Sequence, residues 1–390
     1  MNLQNFRQLK IGVETPIYVM LMGMLAIQIA TPWRVSAIMS LGTWMIIISI
    51  MISFFLALIT RKIDNLSLAM LAALAVFLCV SVILSFSLKY QNLVAALSFL
   101  EIPLVMTTYS RCRDKNVRRA IYVSFIFLSI YYQIISFTSV ANIYYTEYGS
   151  KQMKFLTLGY DNPNETAMHL LVCFFVLMIF LGELKNIFAK IFLIADIVMI
   201  LRLVFLTMSR TSYLVVIFFV IVYIFFKKIP LPRFTELIFF CLPLVFVIIT
   251  YLFRVAGIDI SFLGETFDTG RVDIYTSVFE NFDILIFLFG KYDFLFSNLH
   301  NGFVSIFATI GIIGVIAFYV FLYIKIRSIR NYIDDRFTQK MAFVGLLCMV
   351  AYTSTEAAFL TAGGTFAVAF LSVYFIGAFS KEETVDSKTF

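Results

Sequence analysis

The chain has 390 residues, of which 62% are hydrophobic, 14% are charged and 45 are Phe. Soluble domains carry about a quarter charged residues, so this composition excludes a soluble globular protein and defines an integral membrane protein. The formal net charge of +7 calls for no nucleic acid, because basic loops facing anionic lipid account for it.

A hydrocarbon core of about 30 Å takes about 20 helical residues to cross. Twelve spans are predicted, near 15–33, 36–59, 66–88, 92–110, 120–139, 164–182, 187–208, 211–226, 235–253, 300–324, 341–359 and 363–380. The runs are continuously apolar, which argues against the alternating pattern of a strand barrel. The first exceeds the apolar core of a cleaved signal peptide and lacks a small-residue cleavage site. The expected fold is therefore an all-α integral membrane protein, a single polytopic domain over 1–390. Between spans nine and ten, residues 254–299 form a large extracytoplasmic loop. Its hydrophobic and aromatic residues (Ile258, Phe262, Phe267, Tyr275, Phe279, Phe282) predict short amphipathic helices at the membrane surface.

Short cytoplasmic loops retain Lys and Arg. With both termini cytoplasmic, twelve spans put most of the 30 basic residues inside, including Arg61, Lys62, the run RCRDKNVRR at 111–119, and Lys325 to Lys340. Outside or within spans remain Arg34, Lys89, Lys151, Lys154, Arg202, Arg210, Arg254, Arg271 and Lys291. The five cysteines have no metal spacing and read as small buried hydrophobes. Two isolated histidines without a carboxylate cluster leave a metal set incomplete, and no glycine-rich nucleotide loop is present, so neither metal nor cofactor is expected.

Four stretches concentrate the chemistry. LGYDNPNETAMHL at 158–170 places Asn162, Asn164 and Glu165 where a span begins. They suit a loop and helix cap, and equally the amide and carboxylate groups that hold sugar hydroxyls. His169 shares a face with Glu165 at i+4. RLVFLTMSRTSYL at 202–214 carries Arg202 inside an apolar run and Arg210 at its border; ionisable residues at membrane depth face a cavity or a partner, and Glu101 and Glu356 are the intramembrane acids available for pairing. Arg254 ends span nine, and Arg271 follows Gly270 in the long loop. Guanidinium forks match phosphate oxygens, so four arginines on the outward side fit an anionic lipid diphosphate better than snorkelling does. FSNLHNGF at 296–303 opens span ten with His300 and Asn301. Ser297 or Asn298 is expected to cap the helix and place His300 in its first turn, where a neutral imidazole beside free backbone N–H groups suits proton abstraction from a hydroxyl.

The combination of GYDNPNE, TMSRTSYL, GRVDIY and NLHNGFVSIFATIGIIGVIAF, in this order over residues 158–320, resembles the bacterial O-antigen polymerase and O-antigen ligase superfamily. The resemblance implies a metal-independent glycosyltransferase in the cytoplasmic membrane. Its substrates would be undecaprenyl-diphosphate-linked oligosaccharides at the outer face, its surroundings membrane lipid, and its neighbours the chain-length regulator and flippase of the same pathway. It implies diphosphate binding by Arg210 and Arg271, with Arg254 and Arg202 as further candidates, and a base or substrate-positioning role for His300. Asn162, Asn164, Glu165 and Asn301 are the expected sugar-binding residues. Tyr275 departs from the pattern, standing where a tryptophan is common after the Gly-Arg. Polymerase is favoured over ligase on size and low charge. The rival class is a lipid-linked oligosaccharide flippase or other transporter, against which stand the long outer loop and charges gathered near one border instead of the midplane.

Overall fold

The computed structural model describes residues 14–59, 65–84, 90–108, 115–138, 143–148, 151–160, 162–225, 232, 234–258, 261–262, 265–266, 271–280, 282–291, 299–330, 337–356 and 365–379. It is a helical bundle. In chain order the helices are α1 (Thr15–Ala30), α2 (Ser36–Ile59), α3 (Asn65–Leu84), α4 (Tyr90–Thr108), α5 (Lys115–Ser136), α6 (Pro163–Glu183), α7 (Ile187–Leu206), α8 (Arg210–Phe225), α9 (Thr235–Val255), α10 (Arg271–Phe279), α11 (Ile284–Phe289), α12 (Gly302–Arg330), α13 (Phe337–Tyr352) and α14 (Thr365–Ala378). Each predicted span overlaps one of these helices, the parts at 85–88, 109–110, 139, 226, 357–359, 363–364 and 380 lying outside the described residues, and α10 and α11 fall within the long loop.

Among the described residues six helical segments are long and apolar enough to cross a membrane: Ser36–Leu56, Asn65–Leu84, Asn116–Ser136, Pro163–Glu183, Thr235–Val255 and Gly302–Arg330. Others are apolar but shorter, including Thr15–Ala30, Arg210–Phe225, Phe337–Tyr352 and Thr365–Ala378. In α7 the run is interrupted by Lys190, Asp196 and Arg202. The chain is thus a multi-pass helical membrane protein.

Burial sorts the helices into layers. The most apolar stretch of α6 is 78% buried, against 22% for α9 and 28% for α2. Nearly every residue of α13 and α14 is buried as well. Helices apolar all round belong either to a protein core or to a lipid-facing ring. Here α6, α13 and α14 form the centre, while α2, α3 and α9 turn residues such as Trp44, Val76, Ile248 and Leu252 outward.

The sequence before α6 predicts an outward loop. The structure adds an antiparallel hairpin there, β1 (Ile143–Tyr148) with β2 (Lys151–Leu156), in the register Ile143↔Leu156 to Tyr148↔Lys151. Tyr and Ile in the first strand suit a pleated surface. A minimal second pair, β3 (Ser261–Phe262) and β4 (Glu265–Thr266), precedes α10.

The two short helices of the long loop differ in character. α10 is amphipathic: Val272, Tyr275 and Val278 are buried at helical spacing, and Tyr275 and Val278 pack with Leu299, Val304 and Ala308. α11, with sequence ILIFLF, is apolar throughout and leans on the middle of the bundle. Phe289 stacks on Phe77 of α3 with ring centroids 6.2 Å apart, and Lys291 N donates to Ala308 O at 2.8 Å. That approach requires a break in α12. Gly311 has φ 67 and ψ −179, and a Cβ there would overlap the backbone of Leu288 and Phe289. Gly311→Ala is therefore expected to cost at least about 1 kcal/mol, since alanine disfavours φ > 0 and the close contact is lost. Thermal unfolding in detergent checks this: the midpoint should fall, and an unchanged midpoint would mean that α11 does not depend on the break.

Candidate functional site

One end of the bundle gathers the N-termini of α6, α8 and α12 with the C-terminus of α13. Backbone and side-chain bonds fasten them. Gly302 N donates to Thr353 O at 2.6 Å. The Asn301 side chain caps α12, its Oδ1 accepting from Val304 N at 3.0 Å, while its Nδ2 donates to Ser354 O (2.8 Å) and Pro243 O (3.1 Å). Tyr352 Oη donates to Asn164 O at 2.8 Å and stands 3.3 Å from both Ser209 Oγ and Ser212 Oγ. Thr355 Oγ1 donates to Thr211 Oγ1 at 3.0 Å. Arg210 lies between Ser209 and Thr211, so its backbone belongs to this junction.

At the centre is Glu356. Its side chain is 9% exposed and lies 3.9 Å through Oε2 from Nδ1 of His300, while Oε1 accepts from Asn164 Nδ2 at 2.7 Å. Three of the four motifs thus meet on one carboxylate or beside it. The His300 ring is 29% exposed, partly open to whatever occupies this end.

Backbone strain concentrates in the same places. Among the described residues four non-glycine residues have positive φ: Arg34, Leu158 (φ 47), Met208 (φ 57) and His300 (φ 48). Such residues are uncommon and collect at functional sites. Leu158 precedes Asn162 by four positions, Met208 precedes Arg210 by two, and the third is His300 itself.

The arginines separate by position. Arg271 starts α10 with its guanidinium 5.8 Å from the Phe246 ring centroid. Phe246 is one helical turn from Pro243, where Asn301 is anchored. Arg254 lies eleven residues beyond Pro243, about 16 Å further along α9, and pairs with exposed Asp273 at 3.6 Å. Arg202 is exposed and packs over the ring of Phe137 at 5.5 Å. It meets neither Glu101 nor Glu356, the partners named for it from sequence.

Asn162 caps α6 by accepting from Asn164 N at 2.8 Å, so the helix begins at Pro163, ahead of the start that Asn164 or Thr166 suggested. Asn162 and Glu165 are half-buried. Asn301 is fully buried and both ends of its amide are bonded to backbone. The other histidine is a core residue. His169 is 5% exposed, stacks on Tyr160 at 4.7 Å, and contacts Gln28 Nε2 (3.4 Å) and Thr365 Oγ1 (3.3 Å) through its two ring nitrogens.

Elsewhere buried and half-buried acids are tied structurally. Glu236 pairs with Arg330 and Arg327, and Glu183 accepts from Tyr122 Oη (3.0 Å) and Thr338 Oγ1 (2.6 Å). Asp196 is a buried acid that the sequence reading passed over. It accepts from Ser129 Oγ at 2.7 Å and from Gln133 Nε2; a lone Asp in IFLIADIVMI was the available signal. Among the described residues no group of three His, Cys, Asp or Glu is placed to hold a metal ion.

Between α9 and α10, Val247, Ile248, Tyr251, Leu252, Tyr275, Thr276, Phe279 and Glu280 line a largely apolar cavity of about 530 Å³. The geometry is that of a membrane protein with a partly open polar site at one end of its bundle, an imidazole and a carboxylate at its centre and arginine-bearing elements at its sides. No protein-family model, curated protein or solved structure matches the chain.

Proposed function

We propose that this chain is a polysaccharide polymerase of twelve spans with both termini cytoplasmic, joining undecaprenyl-diphosphate-linked oligosaccharide repeat units at the outer face of the cytoplasmic membrane. The observation that carries the reading is the convergence of His300, Asn164 and Arg210 on the end of the bundle that the charge rule assigns to the outside, with His300 beside buried Glu356.

In this reading the growing chain is the donor. A hydroxyl of a second lipid-linked unit attacks its anomeric carbon; the new C–O bond forms as the bond to the diphosphate breaks, and the diphosphate leaves with the bonding pair. His300 takes the hydroxyl proton through the ring nitrogen that faces away from Glu356. Arg210 and Arg271 stabilise the charge developing on the leaving diphosphate, an electrostatic task that weighs most in a water-poor site. Arg254, at the outer end of α9, meets the lipid diphosphate earlier in its approach, and Arg202 belongs to the interface with lipid. Asn162 and Glu165 face the sugar, Asn164 orients Glu356, and Asn301 holds the backbone that carries His300. The apolar cavity between α9 and α10 is of a size to receive isoprene units. A chain-length regulator and a flippase are the expected partners. Ligase differs only in the acceptor, so the same residues would serve it.

The test is the glycan profile of cells producing His300→Ala at normal membrane levels. The expected result is loss of long chains with single repeat units accumulating on lipid at the outer face. Normal chain lengths would overturn the role of this site, and units retained on the inner leaflet would make the chain a transporter.

A further inference from the structure

We propose that Glu356 and Asn164 act together as positioning residues that fix the ring tautomer of His300, so that Nδ1 carries the proton and Nε2 is the free acceptor. The tautomer follows from the geometry of three side chains; its use in proton abstraction rests on the function proposed above.

An ionised carboxylate only accepts hydrogen bonds, whereas an amide nitrogen only donates them. Asn164 Nδ2 donates to Oε1 of Glu356 at 2.7 Å, which leaves Oε2 to face Nδ1 of His300 at 3.9 Å. Nδ1 is buried and meets no hydrogen-bond partner among the described residues, so the carboxylate is the group there able to decide which nitrogen holds the proton. Catalytic hydrogen bonds are often long in a free enzyme and close when substrate binds, and a small ring rotation closes this one. Asn164 is itself held, because Tyr352 donates to its carbonyl and Asn162 caps its amide. The chain of control therefore runs from the loop before α6 through Glu356 to the residue before α12. It parallels the logic by which a buried carboxylate selects the histidine tautomer in a hydrolytic triad. When Nε2 accepts the hydroxyl proton, the ring becomes an imidazolium whose Nδ1–H points at the Glu356 carboxylate, and no other proton moves.

The arrangement makes an unusual prediction for Glu356→Gln. Asn164 needs an acceptor, so the new amide turns its oxygen to Asn164 and its NH₂ to His300. Nδ1 must then accept, and the proton moves to Nε2. Adding Asn164→Asp supplies an acceptor for the NH₂, lets the Gln oxygen turn to His300, and returns the proton to Nδ1.

The experiment is ¹⁵N spectroscopy of the full chain, labelled at histidine and held in lipid nanodiscs at a pH above the usual imidazole range. Only two histidines contribute, and His300→Gln assigns their signals. The expected series for His300 is Nδ1–H in the parent chain, Nε2–H in Glu356→Gln and Nδ1–H again in the double variant. Nε2–H in the parent chain, or one tautomer in both the parent and Glu356→Gln, overturns the proposal. The parent spectrum is decisive alone should a variant fail to fold. No glycan synthesis enters the readout, so an Nδ1–H tautomer in a chain that polymerises nothing would uphold the positioning and refute the function.

Discussion

Replacing Arg271 or Arg210 by Ala is expected to lower the rate of chain elongation by about 10²- to 10³-fold each, the loss typical of removing one preorganised group that stabilises developing negative charge. The same change at Arg254 or Arg202 should cost far less. Arg254 is exposed, paired with Asp273 and about 16 Å of helix from the anchor of Asn301; Arg202 is occupied by the ring of Phe137. Purified protein in liposomes, supplied with lipid-linked repeat units from its host, gives the comparison. Equal losses at all four positions would mean that the arginines act through net charge at the membrane surface. Lys in place of Arg271 should restore little, because a point charge lacks the planar fork.

Asn301→Ala should lower stability by about 2–5 kcal/mol, combining a lost helix cap with two buried carbonyls left short of a donor. Asn301→Asp separates these contributions. Asp keeps the acceptor for Val304 N and loses the donor to Ser354 O and Pro243 O. It also brings a charge against two carbonyl oxygens, so it should be at least as damaging as Ala. The readout is the thermal midpoint in detergent together with membrane levels. If Asp were as stable as the parent chain, the cap would be the whole of the contribution, and the tie between α12, α9 and α13 would be dispensable.

Much of this architecture is legible in the sequence because lipid imposes a simple rule: backbone polar groups must be satisfied within each segment, and apolar runs of sufficient length become helices. Each of the twelve predicted runs overlaps a helix for that reason, and among the described residues six helical segments are long and apolar enough to cross a membrane. The caps were less legible: Asn164 or Thr166 and Ser297 or Asn298 suited the starts of these two spans, whereas Asn162 and Asn301 are the side chains that accept from nearby N–H groups, and His300 stands before α12 rather than in its first turn. What periodicity could not show is depth and pairing. Gly311 in TIGIIG reads as one small residue among several, and only the fold makes it the place where α11 rests. His169 and Glu165 share a helix face by spacing, yet His169 turns into the core between Tyr160, Gln28 and Thr365. Glu356 was visible as an acid in an apolar run; that it would meet Asn164 and His300, 192 and 56 positions away, is a property of the bundle. The hairpin at 143–156 lay hidden because a short, partly charged strand pair has no strong alternation.

The most direct test of the central claim is elongation by the purified chain in liposomes, with a chelator present and with lipid-linked repeat units as both donor and acceptor. The expected result is products several repeats long from the parent chain, and a fall of about 10²- to 10⁴-fold in His300→Ala, the range for loss of a general base. Elongation unchanged by that substitution, or absent from well-folded parent protein, would contradict the assignment of this site to glycosyl transfer.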